Sequence, residues 1–203
     1  MEEIINESPE NVTLANITNG AVGVPKSEEK HWYVALVNPR SEKKCADALA
    51  DAGYETYVAT QRETHQWSQG RKKVIDRVVI SSMVFVKTDE AGRHDILARK
   101  QYVIRFLTDR AKEKNQFGRA PIAIIPEAQM QMLRYMLGAA ENPVMMESRH
   151  LVPGTRVKVL RGSLKGLTGT IQQLVTGDTM LYVALDILGS AKTLISPNDI
   201  EKL

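Results

Sequence analysis

The stretch Val152–Thr170, VPGTRVKVLRGSLKGLTGT, constrains this chain more than any other. Thr155, Val157 and Val159 alternate with Arg156, Lys158 and Leu160, the two-residue period of a half-buried strand. Gly162 ends that strand. Gly166 and Gly169 frame a second reversal, where the backbone can take angles that a Cβ forbids. Thr168–Val175 follows at once as another β-rich run, Leu181–Leu185 and Ala191–Ser196 supply two more, and Pro197-Asn198-Asp199 supplies a closing turn. Four or five short strands in about 50 residues are enough for a closed, SH3-like barrel without a long open edge. A helical hairpin over the same residues is disfavoured, because each interior glycine costs a helix about 1 kcal/mol relative to alanine.

A chain of 203 residues exceeds one small barrel, so a further domain is expected. The single Cys45 excludes a disulfide framework and a Cys-based zinc site, and fits a reducing compartment. No apolar run is long enough to span a membrane, and the opening MEEIINESPE is acidic and polar, unlike a signal peptide. A cytoplasmic protein is the expectation. Residues 1–30 carry Glu2, Glu3, Glu7, Glu10, Glu28 and Glu29 against Lys26 and Lys30, within a chain of net charge +3. The remainder is therefore modestly basic, which fits proximity to nucleic acid but is also common in ordinary soluble proteins. Residues 1–30 lack periodicity and read as a flexible acidic tail.

Order begins at His31–Asn38, HWYVALVN, an aromatic and β-branched strand signal. Ser41 is placed as an N-cap, and SEKKCADALADAG reads as a helix whose Cys45, Ala48, Leu49 and Ala52 share a stripe, with Gly53 as its stop. Tyr54–Ala59 is the next strand, Arg62–Arg77 a two-stranded ribbon with its tip near Trp67–Gly70, and Val78–Lys87 a central strand. Gly92–Lys100 reads as a short helix and Tyr102–Leu107 as a strand. Pro126–Gly138 is a marked helix with Pro at N1 and an apolar stripe of Met130, Leu133, Met136 and Leu137. Residues 139–150 read as a linker whose Val144-Met145-Met146 could dock on a neighbouring surface. The expected fold class is α+β: residues 31–138 form an antiparallel sheet flanked by helices, of split βαβ type, and residues 151–203 a small β-barrel.

Several of these runs together resemble the NusG family of transcription elongation factors. HWYVALVNPRSEKK is similar to the opening of its N-terminal NGN domain, and ISSMVFVKTD stands where the family has a Phe-Pro-Gly-Tyr turn feeding a Val-Phe-Val strand. VIRFL and PIAIIPEAQM are similar to its Val-x-x-Phe strand and its Pro-x-x-Ile-Pro segment, and the Gly-punctuated stretch that follows resembles a KOW motif. Ile80-Ser81-Ser82-Met83 departs from the turn consensus, and Ile187-Leu188-Gly189-Ser190 departs from Ile-Phe-Gly-Arg. Such drift resembles the specialised paralogues of the RfaH and UpxY types, which act on polysaccharide (capsule) operons.

The resemblance implies an antitermination factor that binds the clamp of RNA polymerase through an apolar patch, here Leu36, Met83 and Phe85. Filling the core is the alternative role for each. Trp67 with Arg71, Lys72 and Lys73 combines an aromatic with phosphate-seeking charge at the ribbon tip. By resemblance it would face upstream or non-template DNA; an ordinary solvated hairpin is the alternative. Leu164, Leu167, Ile187 and Leu188 would be loop-borne apolar residues at one end of the barrel, candidates for a second partner such as a ribosomal protein; core packing is the alternative for each, and the favoured one for any single residue. No P-loop, GxGxxG, HExxH, CxxC or GxSxG is present, and the four histidines share no metal-ligand spacing. The chain reads as a monomeric binding protein, not an enzyme, without cofactor or metal. The rival readings are the housekeeping NusG and a ribosome-associated, RNA-binding KOW protein.

Overall fold

The structure, a computed structural model, describes residues 29–66, 72–99, 102–147 and 154–203, without the side chains of His65 and Gln66. Trp67, Arg71 and residues 1–28 of the expected acidic tail lie outside the described residues.

The first sheet is built around β1 (His31–Val37), which pairs with β5 (Met83–Thr88), β6 (Val103–Phe106) and β7 (Ile124–Ile125). β2 (Glu55–Tyr57) completes the sheet beside β5, and every pairing is antiparallel. The central strand is thus β1, and β5 lies between it and β2. β1 takes the centre because its apolar residues serve both faces. Trp32 and Val34 enter one core cluster, while Tyr33, Ala35 and Val37 enter the other. The second cluster is closed by Cys45, Ala46 and Leu49 of α1 (Glu42–Asp51) and by Ile96 of α2 (Glu90–Ala98). The first is closed by α3 (Glu127–Ala139), whose Met130, Leu133, Met136 and Leu137 are all buried. That is the stripe expected from the i, i+3, i+6, i+7 spacing.

Three local expectations differ. Ser41 occupies the N-cap of α1, but its side chain makes no capping bond. Its carbonyl accepts from the Cys45 N–H instead. Pro126 is the N-cap of α3 and not its first helical residue, because its ψ of 141° is extended. The hydrophobic run Val78–Lys87 is two elements: β4 (Lys72–Val78) ends at its first residue, and β5 starts at Met83 after a turn. Ser82 in that turn has φ 60°, and Glu42 Oε1 accepts its N–H at 2.6 Å. The ribbon is present as β3 (Thr60–Gln66) paired with β4, a sheet of its own.

The second module is a six-stranded antiparallel sheet in the order β13-β9-β10-β11-β12-β8. β9 (Thr155–Val159), β10 (Thr168–Gln173), β11 (Thr179–Leu185), β12 (Gly189–Ile195) and β13 (Ile200–Lys202) come from the segment expected to be β. The sixth, β8 (Met145–Glu147), comes from the stretch read as linker, and it pairs with Ser190–Lys192 of β12. A methionine-rich stretch that looked like a docking segment is therefore part of the sheet itself.

Candidate functional site

The face of the first sheet that α3 covers is arranged in cross-strand rows. In the register of β1 and β5, Trp32 is opposite Lys87, Val34 opposite Phe85, and Leu36 opposite Met83. Tyr57 of β2 extends the middle row beside Phe85, and the Val34 carbonyl accepts from Leu107 N–H on the far side.

The first row is locked to α3. Glu127 Oε2 accepts from the Trp32 indole N–H and from Lys87 Nζ, each at 2.9 Å. Lys87 first, then Trp32, hold the Glu127 carboxyl below the usual carboxylate range. The Arg134 guanidinium stacks over Trp32 at 4.7 Å and over Tyr57 at 4.9 Å. The middle row is closed too: Phe85 is 0% exposed, in the cluster that contains Met130 and Leu133. The third row is half-open, and its β1 and β5 members are apolar. Leu36 and Met83 are both partly exposed, and Arg105 of β6 continues their row on the same face. Of the three residues expected to form an apolar patch, two are brought together at the surface. Phe85 lies one row deeper and serves the core.

A model of the family described as "Transcription termination factor nusG" matches residues 30–134, more than half of the chain. The chain belongs to the NusG family. No curated protein matches it. Among solved structures, the one described as "Domain interaction in Thermotoga maritima NusG" is 15% identical, covers 86% of this chain and 98% of its own, and superposes with a TM-score of 0.46. The matched residues comprise β1 through most of α3, so the first module of this NusG-family chain is its NGN domain.

The ribbon projects from the NGN domain at a base that is firmly tied down. Arg77 Nη2 donates to the Val144 carbonyl at 3.0 Å, and Gln61 Nε2 donates to the carbonyls of Ala140 and Asn142 at 3.2 and 2.9 Å. Gln61 Oε1 accepts from the Val144 N–H at 2.8 Å. Gln61 is 4% exposed, and nothing in a lone glutamine on a polar strand signals this role. At the distal end Lys72 and Lys73 are exposed, opposite Gln66 and His65. Being adjacent in one strand, they lean to opposite faces of the ribbon. Trp67 and Arg71, the other residues expected there, are outside the described residues.

The second module rests against the NGN domain of this NusG-family chain. Tyr135 of α3 donates from its hydroxyl to the carbonyls of Ser163 and Lys165, at 2.9 and 3.0 Å. Leu164 and Leu167, expected at a free end, are buried in the same apolar cluster as the α3 stripe. Ile187 and Leu188 are half-buried against that cluster, and Ile187 lines a cleft together with Leu107, Ile124 and Pro126 of the NGN domain. In this conformation Leu164 and Leu167 are closed off, while Ile187 and Leu188 stay partly exposed. The sequence marked them as loop-borne but held no sign of what the loops would meet.

Cys45 is 0% exposed in the core closed by α1, and burial pushes its thiol up to about 11. Among the described residues no group of His, Cys, Asp and Glu is placed to hold a metal ion, and no helix is long and apolar enough to cross a membrane.

Proposed function

We propose that this NusG-family protein is a transcription elongation and antitermination factor that binds RNA polymerase through the open row Leu36–Met83. The observation that carries the reading is that row. It holds two partly exposed apolar side chains opposite each other, at the open end of a sheet face that α3 otherwise closes. An apolar row at the end of two inner strands, with Arg105 beside it, suits a helical partner such as the polymerase clamp. By holding the clamp in its closed state, the protein would disfavour pausing and termination, because it binds one of two states more tightly. Lys72 and Lys73 of the ribbon would lie along upstream or non-template DNA. The second module is read as a KOW barrel that binds a further partner, such as a ribosomal protein, once it leaves α3. The departures at Ile80–Met83 and Ile187–Ser190 favour a specialised paralogue of the RfaH or UpxY type, serving capsule operons.

The test is a binding measurement with purified core polymerase. Leu36→Ser and Met83→Ser are expected to weaken binding at least tenfold while circular dichroism stays near wild type; Met83 also packs against the α3 cluster, so Met83→Ser is expected to melt lower than Leu36→Ser. Phe85→Ser, by contrast, is expected to unfold the domain. Unchanged polymerase affinity in both folded variants would overturn the patch. Co-sedimentation with ribosomal subunits but not polymerase would overturn the function.

A further inference from the structure

Between β6 and β7 the chain makes an excursion, residues 109–121, DRAKEKNQFGRAP, that the polymerase reading leaves unused. It departs and returns through a paired stem. Thr108 bridges Ile122, Asp109 N–H donates to the Pro121 carbonyl at 2.8 Å, and Ala123 N–H to the Leu107 carbonyl at 2.9 Å. Its tip is a built turn. Asn115 Oδ1 accepts from the N–H groups of Phe117 and Arg119, both at 3.0 Å, and Asn115 N–H donates to the Arg119 carbonyl at 2.9 Å. Gly118, at φ 71°, makes the reversal sterically possible.

This ordered turn holds Phe117 74% exposed. The chain has three phenylalanines, and the other two are 0% and 2% exposed, so outward display of an apolar ring is a local exception. The same loop carries Arg110, Lys112, Lys114 and Arg119, all exposed, against one exposed acid, Glu113. Lys112 approaches Asp109 at 3.8 Å, whereas Arg110, Lys114 and Arg119 have no carboxylate within salt-bridge distance among the described residues. The base of the excursion leads onward. Arg110, Ala111 and Lys112 line, with Arg105 and Leu107, a cleft of about 990 Å³.

From this juxtaposition we propose that the 109–121 loop is a second nucleic-acid site, which stacks a base of a single strand on Phe117 and holds its phosphates with Arg110, Lys112, Lys114 and Arg119. An unpaired base offers a π-face whatever its identity, so one ring suffices for sequence-tolerant binding, and the cations supply the phosphate attraction. A duplex keeps its bases stacked and offers the ring nothing. The site is distinct from the ribbon and does not depend on polymerase binding, so its test needs only oligonucleotides.

The experiment is fluorescence anisotropy of labelled 12-mers of oligo(U), oligo(dT) and duplex DNA with the full chain, in a Trp67→Ala/Arg71→Ala/Lys72→Glu/Lys73→Glu background that removes the ribbon's ring and its charges. Both single strands are expected to bind in preference to duplex; tighter binding of RNA identifies a transcript as the ligand, and the reverse identifies a melted DNA strand. Phe117→Ala is expected to weaken single-strand binding roughly tenfold and leave the salt slope unchanged. Alanine at Arg110, Lys114 and Arg119 is expected to flatten that slope by roughly 0.7 for each phosphate no longer neutralised. Phe117→Trp is expected to retain binding, with its emission quenched on saturation. Wild-type affinity in Phe117→Ala, unquenched emission in Phe117→Trp, or equal binding of duplex would overturn the proposal. So would loss of polymerase affinity in Phe117→Ala with oligonucleotide binding intact, which would assign the ring to a protein partner.

Discussion

Ser82 stands at φ 60°, a left-handed conformation that costs an L-residue about 1–2 kcal/mol. The turn is held from both sides: Ser82 N–H donates to Glu42 Oε1, and its carbonyl accepts from Val37 N–H at 3.0 Å. Neither bond uses the serine side chain. Ser82→Gly is therefore expected to keep both bonds, remove the steric cost, and lose part of the gain to the freer unfolded chain. The net expectation is a stabilisation of up to about 1 kcal/mol, seen as a higher midpoint in urea unfolding. Glu42→Ala acts in the opposite direction, since it removes the acceptor of a part-buried backbone N–H at a cost of about 1 kcal/mol. If Ser82→Gly were destabilising instead, the serine hydroxyl would be contributing a bond that the turn geometry does not show.

At the scale of elements, the two glycines that mark the β9–β10 reversal have different duties. Gly166 lies at φ 95° with nothing within 4 Å of the position a Cβ would take. A Cβ on Gly169 would meet the Tyr182 carbonyl oxygen at 2.3 Å, across the pairing of β10 with β11. Gly166→Ala is thus expected to cost only the left-handed penalty, about 1–2 kcal/mol. Gly169→Ala must push two paired strands apart and is expected to cost more than Gly166→Ala, with loss of β signal on modest heating. Equal costs would show that β10 and β11 yield freely. Legibility divides at this scale in the same way. The sequence carried the existence of both glycines and the reversal they make. It did not carry which of them is needed for turning and which for close approach, because the second duty is set by a strand more than ten residues away. α3 was legible almost to the residue, since its Met130–Leu137 stripe repeats along one helix face and needs no knowledge of the partner.

For the whole molecule, the stretch between α3 and β8 is gripped on both sides. Gln61 holds Ala140, Asn142 and Val144 from the ribbon base. From the second module, Thr193 Oγ1 donates to the carbonyls of Asn142 and Pro143, and the Leu194 carbonyl accepts from Asn142 Nδ2. Together with Tyr135 on the Ser163–Lys165 loop, these hydrogen bonds set the two modules against each other. Gln61→Ala combined with Tyr135→Phe is expected to leave both modules folded but to let them separate. Small-angle scattering should then report a larger radius of gyration with unchanged circular dichroism. Unchanged dimensions would mean that the shared apolar cluster holds the modules together without these hydrogen bonds.

What the sequence determined by itself is whatever is written locally: the aromatic, β-branched run of β1, the two-residue period of β9, the helical stripe of α3, the glycine punctuation of the second module, and the order of runs that resembles the NusG family. Tertiary structure alone decided the rest. It placed Phe85 beneath α3 and left Leu36 and Met83 at the open row, although all three sit on one face of adjacent strands. It turned Met145–Glu147 from linker into a strand, and it seated Leu164 and Leu167 in a core shared with another module. The physical reason is common to all these cases. Strand pairing and burial are settled by partners remote in sequence, and a run of residues states what it can bury but not what will arrive to cover it.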